Sequence, residues 1–161
     1  MGKKGKQKFF ESEEKALNML IMAKSDLSLA KAGTKTEGIL LETLCSQCHN
    51  AIEKSLKSLM AWNVGYYYFG HSINELIKEM ENEKINLPED IKSAAIGAVT
   101  IEGGFTFPLT FPYNFGTLVH SSDYSGYRRY HFPDNPIPEQ DSKRFIERAE
   151  KIVNWVEQQM R

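Results

Sequence analysis

The residues with the most evident chemical potential stand together as Cys45-Ser46-Gln47-Cys48-His49. A C-x-x-C-H run is the pattern of covalent c-type haem attachment, in which both sulfurs bond the macrocycle and the histidine ligates iron. Two observations set that chemistry aside. Haem c is attached outside the cytoplasm, whereas here Phe9 and Phe10 are followed at once by Glu11, Glu13 and Glu14, where an export signal needs an unbroken apolar run. The cysteines also keep step with Leu41, Leu44, Ile52 and Leu56, the apolar face of a helix, where small buried cysteines are common. Zinc fares no better, because two helical cysteines need further ligands and His71, His120 and His131 show no ligand spacing. The expectation is two reduced core thiols, with no metal and no cofactor.

Two other stretches carry charge in a useful pattern. Glu53 and Lys57 form an i,i+4 pair in the favourable orientation with Lys54 beside them, which by spacing alone describes the solvated face of a core helix. Tyr127, Arg128, Arg129, Tyr130 and His131 combine guanidinium groups, which match phosphate oxygens in bidentate geometry, with rings that can stack on bases. The same five residues would equally serve as a structural hinge whose arginines pair with acids of the folded domain such as Glu53.

Helices must position these groups. Ala16, Leu20, Ala23, Leu27 and Ala30 recur three or four apart and predict a first helix over 10–31, stopped at Gly33 by a residue able to take positive φ. Thr34 and Glu37 have capping-box spacing and predict the start of a second helix running to Trp62, with Leu41, Leu44, Cys45, Cys48, Ile52, Leu56 and Leu59 inward. Two long helices joined by a few residues pack antiparallel. Tyr66 to Phe69 form an aromatic connector after Gly65. Ser72 and Glu75 cap a third helix with Ile73, Leu76, Ile77 and Met80 buried, and Pro88, Glu89 and Asp90 open a shorter one carrying Ile91, Ala94, Ala95 and Ala98 up to Gly103 and Gly104. A last helix from Glu139 presents Phe145, Ala149, Ile152, Val153, Val156 and Met160 on one face.

At 161 residues, 41% hydrophobic and 25% charged, the chain has the size and composition of one globular domain. The formal charge of -1 gives no reason to expect nucleic acid, and Lys3, Lys4, Lys6 and Lys8 read as a flexible basic tip over residues 1–9. No apolar run has the length of a membrane span, so a soluble, cytoplasmic protein is expected. Residues 101–138 hold half of the aromatic residues and five of the six prolines, and are expected to form an aromatic-rich loop insertion before the last helix. The resulting fold class is all-α: an up-and-down bundle of four to five helices in a single domain spanning 1–161.

"CSQCHNAIEKSLKSLM" resembles the signature of the HEPN family, the higher eukaryote and prokaryote nucleotide-binding helical domain, with Gln47, Ala51, Glu53, Lys54, Leu56, Lys57 and Leu59 in matching order. "GHSINELI" is similar to the family's His-x-Leu-x-x-Leu opening of the third helix, with His71 as the histidine. "YRRYHFP" resembles its Arg-Tyr-Pro segment, although His131 and Phe132 intervene before Pro133. The resemblance implies a helical bundle that forms a homodimer, associates with nucleotide or RNA and partners a minimal nucleotidyltransferase protein. It implies nucleotide-binding roles for Arg128, Arg129, Tyr127, Tyr130, His131, His71, Lys54 and Glu53. Some branches are metal-independent endoribonuclease toxins of toxin–antitoxin pairs using Arg-x(4–6)-His. Here His131 follows Arg128 and Arg129 too closely, and Arg144, Arg148 and Arg161 have no histidine after them, so no catalytic residue is assigned. A ligand-free protein-interaction module is the remaining alternative.

Overall fold

The structure is a computed structural model that describes residues 12–102 and 139–161. The described residues form five helices and no strand: α1 Glu13–Gly33, α2 Leu41–Val64, α3 Ile73–Asn82, α4 Glu89–Glu102 and α5 Glu139–Gln159. The basic tip, the expected helix start at Phe10, the stop at Gly103 and Gly104, the aromatic-rich insertion and the side chain of Ala98 lie outside what is described.

The all-α bundle follows from the apolar spacing. Every residue assigned inward on α1, α3 and α5 is buried, as are Leu44, Cys45, Cys48, Ile52, Leu56 and Leu59 on α2. α2 is the central helix, packed against α1 along its length and against α5, with α3 and α4 closing the remaining sides. α1 and α5 run antiparallel, tied by Lys24–Glu157 at 2.8 Å and by Lys31–Glu150. Inside α2, Ser55 and Ser58 donate back to the carbonyls of Ile52 and Ser55, so their hydroxyls are satisfied without widening the helix contacts. Both cysteines are buried within this core as thiols.

Two local expectations are corrected. The capping box at Thr34 does not open α2. The Thr34 and Thr36 hydroxyls instead donate to the carbonyls of Lys31 and Ala32, closing α1, and α2 starts seven residues later behind Leu40 without a side-chain cap. At the other end of α2, Gly65 takes the left-handed conformation (φ 75°) that ends a helix.

Gly33 is the second correction. It is the last residue of α1 and is not among the glycines at positive φ. Its reason is space, because a Cβ there would overlap Cδ2 of the buried Leu44. Gly33→Ala should therefore destabilise the fold by about 1–2 kcal/mol despite alanine's better helix propensity, since forcing a methyl into a filled core costs about 1–3 kcal/mol. Urea denaturation followed by circular dichroism checks the sign; a stabilised variant would show that Leu44 yields at no cost.

Candidate functional site

The polar centre of the molecule is Glu53, halfway along α2 and buried. One turn before it, His49 places Nε2 at 3.5 Å from Oε2, and one turn after it, Lys57 donates to Oε1 at 2.7 Å. The i,i+4 spacing puts all three on one side of the helix. The connector after α2 then supplies the fourth group, with His71 Nδ1 at 3.1 Å from the same Oε1. The reading of Glu53 and Lys57 as a solvated face is thus overturned. Both are buried, because the chain after Gly65 folds back over them.

This environment sets the protonation of the cluster. Burial pushes the Glu53 carboxyl up, but the hydrogen bonds from His49 and Lys57, reinforced by the charge of Lys57, overcome it and hold the group down at about 2. Glu53 is therefore an ionised acceptor at neutral pH. An ionised carboxylate offers no proton, so Nδ1 of His71 must be the donor in their contact. A neutral His71 then keeps Nε2 as its proton-accepting atom, and its side chain remains 67% exposed.

The roof of the site is aromatic. The Lys57 ammonium lies 5.6 Å from the centroid of the Tyr67 ring, within cation–π range. Tyr67 stacks on Phe69 with centroids 6.0 Å apart and planes 6° from parallel. Phe69 is 72% exposed, an unusual position for so large an apolar ring. Its neighbours are fixed: Tyr66 is buried and donates to Glu83, and a Cβ at Gly70 would overlap the Tyr68 ring. Ser72 caps α3 through the Glu75 amide at 3.3 Å, which anchors the far side of the connector.

Among the expected site residues, the structure brings Glu53 and His71 together. Lys54 does not join them; its ammonium meets Asp26 of α1 at 2.6 Å. Tyr127, Arg128, Arg129, Tyr130 and His131 lie outside the described residues. Sequence reasoning assigned no role to His49, Lys57, Tyr67 or Phe69 in this site. The signal for the first two was the 49-53-57 spacing itself, which repeats a titratable group every turn on one side of a helix. The described residues contain no group of three His, Cys, Asp or Glu placed to hold a metal ion. No helix among them is long and apolar enough to cross a membrane.

A bundle of this topology with a Glu-Lys pair inside its second helix and a histidine opening its third defines a class. The model of the HEPN domain matches residues 16–159, so the chain belongs to the HEPN domain family. Among solved structures, it is similar to the crystal structure of an archaeal HEPN homologue, with a TM-score of 0.60 and 23% identity over 91% of this chain and 98% of that one. At that identity the likeness speaks for the fold. Comparison with curated proteins gave no significant match.

Proposed function

We propose that this HEPN domain is a cytoplasmic module that associates with nucleotide or RNA and works with a minimal nucleotidyltransferase protein. The observation that carries the reading is the exposed Phe69 ring, stacked on the half-buried Tyr67, beside an exposed imidazole that Glu53 holds in place. A flat exposed ring offers a stacking surface for a base, and an adjacent donor suits a phosphate or ribose. The family resemblance adds Arg128 and Arg129 as phosphate contacts. Fluorescence anisotropy with labelled single-stranded RNA, and competition by free nucleotides, tests the proposal. Saturable binding is expected, weakened about tenfold by Phe69→Ala, in line with the loss of one base–aromatic contact, and further by Arg129→Ala. Binding that is absent, or that Phe69→Ala leaves unchanged, would overturn it.

The His71–Glu53 contact favours a second reading, a metal-independent endoribonuclease toxin. A buried carboxylate that fixes the tautomer of an exposed histidine is the arrangement that prepares an imidazole to accept a proton. On that reading, expression arrests growth and cleaves cellular RNA, and His71→Ala abolishes both. Normal growth with intact RNA would dismiss the nuclease and leave the binding module standing.

A further inference from the structure

Glu53 meets two histidines, and the fold treats them in opposite ways. His49 is buried beside it within α2, only 4% exposed, and belongs to the interior. His71 gives the same carboxylate one nitrogen, Nδ1 at 3.1 Å, and leaves its side chain 67% exposed. The connector does not depend on this contact, because the turn at Gly65 and the Ser72 cap already fix its two ends. Its neighbours also leave the ring accessible: Gly70 has no side chain and Ser72 is buried. A neutral imidazole whose Nδ1–H is held by an ionised carboxylate presents its lone pair at Nε2. That atom is a nucleophile as well as a base. As it attacks, positive charge develops on the ring, and a carboxylate already in place behind Nδ1 stabilises it. Lys57, 2.7 Å from the same Glu53 oxygen, holds that carboxylate in position.

We propose that His71 is a phosphoryl-acceptor site, modified at Nε2 by a donor of the phosphoramidate class. The Nε2 lone pair forms the new N–P bond while the donor's own P–N bond breaks. The donor nitrogen, protonated before the step, takes that electron pair and departs as a neutral amine. Nothing is oxidised or reduced, and the Nδ1 proton stays on the ring, whose new positive charge faces Glu53. The carboxylate that stabilises the attack therefore stabilises the product too, since the phosphorylated ring keeps both its Nδ1–H and its charge. Reaction at Nδ1 is disfavoured, because a phosphoryl group there would displace the hydrogen bond and set its negative charge against the carboxylate. At Nε2 the added charge lies on the solvent side and beside the exposed Phe69 ring. On the nucleotide-binding reading, on which this consequence rests, like-charge repulsion then closes the site to RNA.

The test is incubation of the full chain with potassium phosphoramidate, followed by intact mass, peptide mapping at neutral pH and phosphorus NMR. His71 should react first among the four histidines, and at Nε2 alone. His71→Gln should lose that modification. Glu53→Leu combined with Lys57→Met removes the carboxylate and keeps the volume filled. Reaction at His71 should then slow about tenfold, as for loss of a hydrogen bond to a charged acceptor, and give both ring isomers. A contact that only ties down the connector would move neither the rate nor the isomer. Prior reaction at another histidine, a mixture of isomers in the wild type, or a double variant with unchanged rate and isomer would each overturn the proposal. The wild-type isomer alone decides the matter if the double variant does not fold. RNA affinity should fall in the phosphorylated chain, and an unchanged affinity would overturn the closing of the site. A chain that binds no RNA before modification strikes the binding reading instead, while mass and NMR still decide the acceptor.

Discussion

Glu53→Gln is expected to destabilise the domain by about 3–5 kcal/mol at neutral pH, the cost of leaving a buried charge without its partner. The amide can still accept a hydrogen bond, but it carries no charge to balance the Lys57 ammonium, whose side chain is 9% exposed. The loss should be largely recovered in a double variant, Glu53→Leu with Lys57→Met, which removes both charges and keeps the volume filled. The pH dependence provides a sharper check. The carboxyl is at 4.5 when unperturbed and about 2 in the fold, so its folded value is depressed. A depressed acid contributes its full stability above its unfolded value and loses it as pH falls through the folded one. The contribution, roughly 3 kcal/mol, should therefore be present at pH 5 and above and vanish between pH 4.5 and 2. Urea denaturation of wild type and Glu53→Gln across that window should show the gap between them shrinking as acid is added. A gap that does not change with pH would mean that Glu53 is not held as the carboxylate.

Phe145→Ala is expected to cost a comparable 3–5 kcal/mol, the range for truncating a fully buried phenylalanine. Phe145 is completely buried on α5, and Ile152 and Val156 follow it on the same face against α2. A single domain has about 5–15 kcal/mol of net stability, so one such change removes a large share of it. The urea midpoint should fall sharply with the slope unchanged, because the same surface is exposed on unfolding. A loss under about 1 kcal/mol would show that α5 is an appendage and not part of the core. The ion pairs Lys24–Glu157 and Lys31–Glu150 are too exposed to give this result on their own.

The connector also shows why the polar site was hard to read. Glu53 and Lys57 obey the i,i+4 rule of a surface pair, and nothing in the local sequence distinguishes a pair facing water from one facing a neighbouring segment. The difference comes from Tyr67 and His71, which approach only after Gly65 turns the chain and Ser72 fixes the start of α3. Similarly, Thr34 and Glu37 have the composition of a helix start, but the hydroxyls of Thr34 and Thr36 found nearer acceptors in the last turn of α1.

The amino-acid sequence by itself determined which residues make the core. Apolar residues three and four apart must share a helix face, and that face must leave water, so α1, α3 and α5 bury the residues their spacing names. It also determined the family, because the Glu-Lys signature and the histidine before α3 stand in order along the chain. Only the tertiary structure decided that Glu53 is a buried carboxylate shared by Lys57, His49 and His71, that Lys54 belongs to Asp26, and that Gly33 serves Leu44. Those outcomes depend on which segments meet across the bundle, and burial and charge balance arise from such meetings, not from local spacing.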